Sequence, residues 1–211
     1  MFIAHVYQIQ AAEQAFAVIL DDGSVVTWGD GDYGGDSTAV QHQLTNVQQI
    51  QASQLACAAI LGDGSVVTWG GAHCGGDSSA VQDQLRNVQQ IPASCAAFAA
   101  MLADGSVVSW GSPDHGGDVQ DHLKTVQQIQ ATDNAFAAIL GDGSVVAWGY
   151  CGYGGDCSAV QHLLKNVQKI QASRMAFAAI LADGSVVSWG CFDSTGCGSA
   201  KQGQPTGDAT A

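Results

Sequence analysis

The stretch AAILGDGSVVTWG at residues 58–70 decides the fold, because it occurs five times along the chain in nearly the same form. Each copy ends in Trp-Gly, and the tryptophans lie 41, 41, 38 and 41 residues apart. A fixed period of this size indicates a repeat architecture, in which one unit buries its apolar face only by stacking on a neighbour. All five tryptophans are predicted to lie in the core between units. They are Trp28, Trp69, Trp110, Trp148 and Trp189.

The second unit predicts a three-stranded antiparallel meander. Residues 47–53 are typical of a short first strand, and the wholly apolar residues 56–61 of a strand that is covered on both faces. Residues 63–65 predict a hairpin turn, because Asp and Gly tolerate the positive φ that a tight connection requires. The β-branched and aromatic residues 66–69 predict the third strand.

Residues 78–85 leave two interpretations open. Ser78 could cap a short helix rich in Ala and Gln, or the segment could form a fourth, outer strand. The third unit is three residues shorter in this region, which a central strand would not tolerate easily. The segment is therefore predicted to be peripheral.

The repeated meander predicts an all-β fold, a β-propeller of five short blades with three to four strands each. Radial stacking hides both the faces and the edges of the sheets. An open solenoid is the alternative, but it usually needs polar caps, and neither end of the repeat array shows one. We expect a single repeat domain over residues 1–197 and a flexible tail over residues 198–211.

The charge balance bears on the class of partner. The formal net charge is −13, from six Lys and Arg against nineteen Asp and Glu. This disfavours nucleic acid and favours a protein partner with a basic surface, although acidity for solubility alone is an alternative. No apolar run approaches the ~20 residues that span a bilayer, so membrane insertion is not expected. No signal-peptide pattern is present, which favours an intracellular location and leaves the compartment open.

The seven cysteines do not predict a disulfide framework. An odd count without a signal peptide argues against a secreted, cross-linked domain. Cys57 takes the place that a phenylalanine holds in the other four units, as Phe98 does in the third. Cys57 is therefore predicted to be a small core residue.

Candidate metal and catalytic groups are few. His73, Cys74 and His115 occupy neighbouring loop positions and could form a transition-metal site, but unligated surface residues are the favoured interpretation. One aspartate recurs after Gly-Gly in each of the first four units, which suits a turn or a cap rather than a catalytic pair. We predict no enzymatic activity, no cofactor and no metal. The recurring aspartates are Asp36, Asp77, Asp118 and Asp156.

The repeat phrase A-x-x-L-x-D-G-S-V-V-x-W-G-x-x-x-x-G-G resembles the repeat of the regulator of chromosome condensation family. Units of that family pair a strand ending in Leu with G-x-V-x-x-W-G and a following N-x-x-G-Q-L-G, and Gly75 and Gly76 stand where it has Gly-Gln. The resemblance covers roughly residues 5–197 and implies a β-propeller. The unit length is closer to that of the propeller-type β-lactamase inhibitor proteins. The G-W-R-H-T element of the related plant ultraviolet photoreceptor is absent, so light sensing is not expected.

These relatives have seven blades, whereas this chain encodes five. Five blades could close alone, a second chain could complete the ring, or the chain could be a piece of a longer array. The resemblance implies a non-enzymatic binding scaffold. A structural or assembly subunit is the alternative, including self-association, and a nucleotide-exchange or chromatin-type regulator is disfavoured by the acidic charge.

The variable positions define a candidate binding surface. In a meander, the connection from strand one to strand two and the segment after strand three lie on the same side, and both vary between units. We hypothesise that a protein partner binds there, with aromatic anchors and an acidic rim. Drift of unselected loops is the alternative explanation. The candidate residues are Asp30, Asp32, Tyr33, His73, Asp114, His115, Tyr150, Tyr153, Phe192 and Asp193.

Overall fold

The computed structural model describes residues 5–119, 123–191 and 199–203, and within these ranges the chain is all-β with no α-helix. Five antiparallel sheets follow one another along the chain, so the predicted fold class is confirmed. The first sheet comprises β1 (Val6–Ala11), β2 (Ala15–Leu20) and β3 (Val25–Gly29), and the second comprises β4 (Val47–Ala52), β5 (Ala56–Leu61) and β6 (Val66–Gly70). The third sheet comprises β7 (Val88–Gln90), β8 (Ala97–Leu102) and β9 (Val107–Gly111), and the fourth comprises β10 (Val126–Ala131), β11 (Ala135–Leu140) and β12 (Val145–Gly149). The fifth sheet has four strands, β13 (Val167–Ala172), β14 (Ala176–Leu181), β15 (Val186–Gly190) and β16 (Ser199–Gly203).

The chain divides into two compact units, residues 1–124 and residues 125–211. The first unit holds the first three sheets and the second unit holds the last two. The single repeat domain over residues 1–197 stays a prediction.

Each sheet is a meander with the same register. Phe98 pairs with Trp110 across β8 and β9, and Phe177 pairs with Trp189 across β14 and β15. The paired rings stack with centroids 5.3 Å and 5.4 Å apart. The constant phrase of the sequence therefore sets the hairpin register in every sheet and an aromatic pair in four of them, while Cys57 pairs with Trp69 in the second sheet.

Neighbouring sheets within a unit pack face to face and form the core. We call the side of each sheet that carries the tryptophan its Trp face. The opposite side, which carries the first and third residues of the second strand, both alanine in every sheet, is its Ala face. In the first unit, Ala17 and Ile19 on the Ala face of the first sheet contact Ile50, Cys57 and Trp69 on the Trp face of the second. The same pairing joins the second sheet to the third and, in the second unit, the fourth to the fifth.

Trp69, Trp110 and Trp189 are buried between sheets, as predicted, and Trp148 is 7% exposed, whereas Trp28 is 45% exposed. The prediction is wrong for Trp28, because its face lacks the covering sheet that buries Trp69 in the second sheet. Cys57 is 2% exposed and takes the predicted core position. Its burial raises the pKa of the Cys57 thiol to about 12, so the thiol is neutral near pH 7.

Residues 78–85 form turns and the short 3₁₀ helix Gln82–Gln84, so the outer strand is wrong for this segment. A short helix is present, but it begins after Val81 and is not capped by Ser78. The Gln82 side-chain amide donates to the Val66 carbonyl over 2.9 Å. Ser78 is turned inward, where its hydroxyl donates to Gln82 Oε1 over 2.8 Å. The Gln82 side chain thus hydrogen-bonds to the Val66 carbonyl at the outer edge of the sheet, where a fourth strand would otherwise have paired.

The end of the chain departs from the predicted tail. β16 pairs antiparallel with β15, from Gly190 opposite Ser199 to Val186 opposite Gly203. A flexible tail is therefore wrong for residues 199–203. Residues 198 and 204–211 lie outside the described residues.

Candidate functional site

Two variable connections lie together in each sheet, as the meander predicts. In the first sheet the Asp30 amide, which follows β3, donates to the Gln14 carbonyl, which precedes β2, over 2.9 Å. In the fourth sheet the Tyr150 amide donates to the Asn134 carbonyl over 2.9 Å. The hydrogen bond fixes the segment after the third strand on the connection between the first two.

A ladder of backbone hydrogen bonds joins these connections from sheet to sheet. In the first unit the Glu13 amide donates to the Gln54 carbonyl over 2.9 Å, and the Gln54 amide donates to the Cys95 carbonyl over 3.0 Å. In the second unit the Asp133 amide donates to the Arg174 carbonyl over 3.0 Å. The connections of each unit therefore form one continuous surface, which we call the loop surface of that unit.

Short 3₁₀ helices follow the third strand of the first four sheets and complete the loop surfaces. Each helix ends at a glycine with positive φ, such as Gly75 with a φ of 98°. A Cβ atom at Gly75 would lie 2.5 Å from Phe98 Cδ2 of the next sheet, and Trp110 Nε1 donates to the Gly75 carbonyl over 2.9 Å. The loop that ends at Gly75 is thus held in place by the Phe98–Trp110 pair of the next sheet. The helices are Gly31–Tyr33, Ala72–Cys74, Pro113–His115 and Cys151–Tyr153.

The candidate residues of the first sheet have different environments. Asp30 caps its 3₁₀ helix, because its carboxylate accepts the Asp32 amide over 2.9 Å. Asp32 is exposed and Tyr33 is half-buried. Asp30 is therefore partly a structural residue, while Asp32 presents its carboxylate to solvent.

A groove of about 440 Å³ lies beside the loops of the second and third sheets. His73 and Pro113 line it and are exposed, and the edge of Trp110 contributes to its wall. Asp114 is exposed nearby along the chain, whereas His115 is half-buried, with its Nδ1 2.9 Å from the Ser112 hydroxyl. No three His, Cys, Asp or Glu side chains in the described part of the chain are placed to hold a metal ion.

The loop surface of the second unit carries an aromatic pair and an ion pair. Tyr150 is 51% exposed, and its ring lies 5.8 Å from that of Tyr153, tilted by 51°. Arg174 Nε lies 2.8 Å from Asp133 Oδ2. Arg174 and Asp133 were not among the predicted site residues, although both lie in the variable connections. Their ion pair joins residues 41 apart in the sequence, so neither residue alone indicates it. The candidates Phe192 and Asp193 lie outside the described residues.

The aspartates that follow Gly-Gly fix turns, as predicted, where the structure shows their contacts. Asp77 Oδ1 accepts the Ser79 amide over 2.9 Å, and Asp156 Oδ1 accepts the Ser158 amide over 2.8 Å. Backbone hydrogen bonding first, with the serine hydroxyl second, lowers the pKa of Asp77 and of Asp156. These carboxylates are ionised, turn-forming groups.

No helix among the described residues is long and apolar enough to cross a membrane.

Comparison with known proteins places the fold. No protein-family model matches the chain, and no curated protein matches its sequence. Among solved structures, human WBSCR16 matches 89% of this chain and 62% of its own length, with 18% identity and a TM-score of 0.56. Prp20p from Saccharomyces cerevisiae matches 88% of this chain and 58% of its own length, with 17% identity and a TM-score of 0.57.

A third similar structure is the CRINKLY WD40 ectodomain of the Arabidopsis thaliana receptor kinase ACR4, which matches 90% of this chain and 67% of its own length. Its identity is 16% and its TM-score 0.54. The chain spans less than two thirds of WBSCR16 and of Prp20p. These likenesses concern the fold, which is that of an RCC1-like repeat β-propeller.

Proposed function

We propose that this chain is a non-enzymatic interaction module that binds a protein partner through its loop surfaces. The observation that carries the proposal is the backbone ladder from Glu13 through Gln54 to Cys95, which joins three variable connections into one surface. A rigid scaffold that presents variable side chains in register is a common basis for recognition. The ladder orders the loops before binding, which lowers the entropy that a partner must overcome.

The charge of the first unit's loop surface favours a basic partner. Glu13, Asp32 and Asp114 are exposed there, and the variable connections of the first three sheets contain no Lys or Arg. Complementary charge speeds the encounter and excludes acidic partners. His73 and Pro113 line the groove next to this acidic rim and would add further contacts.

Proteins of the same fold bind proteins, which supports the class of function but no particular partner. Prp20p is described by its binding to Gsp1p and histones, and yeast RCC1 (Prp20) has been crystallised with Kap60. Proteins of one fold have many different functions, so the partner has to be inferred from the surface residues of this chain.

The test is capture of partners from the native source with the intact chain, followed by affinity measurement with a purified partner. Asp32→Asn with Asp114→Asn removes two charges from the loop surface and is expected to weaken binding about tenfold. The matched control is Asp21→Asn with Asp83→Asn, which removes two exposed charges outside the loop surface. Equal affinity of the two double variants would contradict binding at the loops.

A further inference from the structure

The Trp face of the first sheet is an exposed apolar surface. Ile9, Phe16 and Trp28 on this face are 58%, 43% and 45% exposed. In the second sheet, Ile50 and Trp69 at the equivalent positions are 0% and 4% exposed, because the first sheet covers them. Exposed apolar patches of this kind usually mark an interaction site.

The exposed face is already arranged to receive another sheet. The rings of Phe16 and Trp28 stack 5.4 Å apart at an interplanar angle of 19°. The Phe98–Trp110 pair has the same geometry, at 5.3 Å and 20°, and it holds Gly75 of the preceding sheet. In the first sheet no described residue accepts a hydrogen bond from Trp28 Nε1.

The fifth sheet exposes the complementary face. Ile180 on its Ala face is 43% exposed, whereas Ile139 at the same position of the fourth sheet is 2% exposed under the fifth sheet. Ala178 and Val186 on the same face are half-buried. Alanine, isoleucine and valine at these positions are the residues that cover a Trp face at each sheet-to-sheet contact described within a unit.

We propose that the Trp face of the first sheet docks on the Ala face of the fifth sheet of a second copy of this chain. The contact would continue an interface that the chain already uses three times, between the first and second, second and third, and fourth and fifth sheets. It joins two different faces, so copies associate head to tail and form a closed ring or an open chain of molecules.

The chemistry of the exposed Trp face favours the Ala face of a second copy over a charged partner. Ile9, Phe16, Val26 and Trp28 are apolar and exposed, and the indole N–H is the one polar group among these four side chains. A charged or strongly polar partner would lose its hydration there without gaining a partner group. An Ala face supplies apolar area and small residues that approach the rings closely.

The test measures the mass of the 211-residue chain in solution as its concentration rises. We expect multiples of 21.6 kDa for the native chain. Trp28→Asp and Ile180→Asp should each stay at the single-chain mass, because each variant has lost one of the two faces. A 1:1 mixture of these variants should recover a species of twice that mass, since each supplies the face that the other lacks.

A matched control keeps this test separate from partner binding at the loops. Tyr150→Asp changes an aromatic residue of similar exposure on the loop surface and should assemble like the native chain. Circular dichroism and melting curves establish that each variant folds. If a variant does not fold, acrylamide quenching of the native chain serves instead, because Trp28 is the one exposed tryptophan of the five and docking should protect it as concentration rises.

Three results would overturn the inference. A native chain that remains at 21.6 kDa over the whole concentration range, with unchanged quenching, excludes docking between copies. Assembly that survives Ile180→Asp and fails only with Trp28→Asp indicates pairing of two Trp faces. A mixture of the two variants that stays at the single-chain mass excludes head-to-tail pairing.

Discussion

A single glycine after the 3₁₀ helix of the loop surface connects that surface to the core. Gly34, Gly75 and Gly154 have φ values of 91°, 98° and 88°, and the tryptophan of the next sheet donates to each carbonyl. A side chain at this point would be unfavourable for two reasons, the left-handed backbone and the aromatic ring above it. The Gly-Gly of the repeat is therefore a packing signal as much as a turn signal.

Gly75→Ala tests this double requirement. The Cβ would lie 2.5 Å from Phe98 Cδ2, and the substitution should lower the free energy of unfolding by roughly 2–4 kcal/mol. Gly184→Ala is the matched control, because Gly184 also has positive φ (82°) but its Cβ would meet nothing within 4 Å. Gly184→Ala should lower the free energy of unfolding by about 1 kcal/mol, because it adds backbone strain but no ring contact. Urea denaturation measures both, and equal losses would contradict the role of the ring contact.

At the scale of the strand, glutamine side chains protect the backbone edges that the sheets leave open. Gln128 Nε2 donates to the Ile170 carbonyl over 3.1 Å, and the Ile170 amide donates to Gln128 Oε1 over 3.2 Å. Gln8 makes the same pair of hydrogen bonds with Ile50. The first strand of one sheet is thus tied to the first strand of the next through a side chain.

Gln128→Ala should lower the free energy of unfolding by about 1–3 kcal/mol, because it leaves both backbone groups of the buried Ile170 without these partners. Gln127→Ala, at the exposed neighbouring position of the same strand, is the control and should change stability little. Denaturant titration of both variants measures the difference. A loss at Gln127 as large as that at Gln128 would show that strand propensity, and not the bridge, is responsible.

The Asp-Gly-Ser turns predict a pH dependence of stability. In each turn the Asp carboxylate accepts hydrogen bonds from the hydroxyl and the amide of the serine two residues on, and these hydrogen bonds lower its pKa below the ordinary value of an aspartate. A carboxyl whose pKa is lower in the folded than in the unfolded chain stabilises the fold above the unfolded pKa. That contribution is lost as pH falls below about 4. The aspartates are Asp22, Asp63, Asp104, Asp142 and Asp183.

Melting temperatures at pH 6, pH 4 and pH 2.5 measure this loss. Replacing the five turn aspartates with Asn keeps an acceptor oxygen and removes the titrating group. The variant is therefore expected to lose less stability than the native chain between pH 4 and pH 2.5. An unchanged slope would place the acid sensitivity in other carboxyl groups.

Much of each element was predictable from the sequence, because local chemistry determines it. The Asp63–Ser65 hydrogen bonds and the β-branched residues after them form the hairpin in every copy. The outer segment was not predictable, because its form depends on where one side chain points. The Gln82 side chain donates a hydrogen bond to the carbonyl of Val66, 16 residues earlier in the chain. Helix and strand propensities describe local preferences and do not predict such a contact.

At the scale of the whole chain, exposure depends on position in the array rather than on local sequence. Trp28 and Trp69 share the same Asp-Gly-Ser-Val-Val-Thr-Trp-Gly phrase, yet the exposed fraction of Trp28 is 45% and that of Trp69 is 4%. The difference lies in whether another sheet covers the Trp face. The loop surfaces were predictable from the meander, whereas the exposed Trp face of the first sheet was not.

The net charge of −13 gives the two proposed surfaces opposite responses to salt. Copies of one acidic chain repel each other while their apolar faces attract, so screening should strengthen head-to-tail association. A basic partner at the loop surface is held by attraction between opposite charges, so screening should weaken its binding. The two kinds of contact can therefore be separated without any mutation.

Raising NaCl from about 0.05 M to about 0.5 M shortens the screening length from above 10 Å to below 8 Å. Over this range the average mass of the chain alone should rise at fixed concentration, while the affinity for a captured basic partner should fall. Sedimentation measures the first quantity and calorimetry the second. Tyr150→Asp, which leaves both apolar faces intact, should show the native salt response of the mass. A mass that falls with salt would mean that charge pairs, rather than the apolar Trp and Ala faces, hold the copies together.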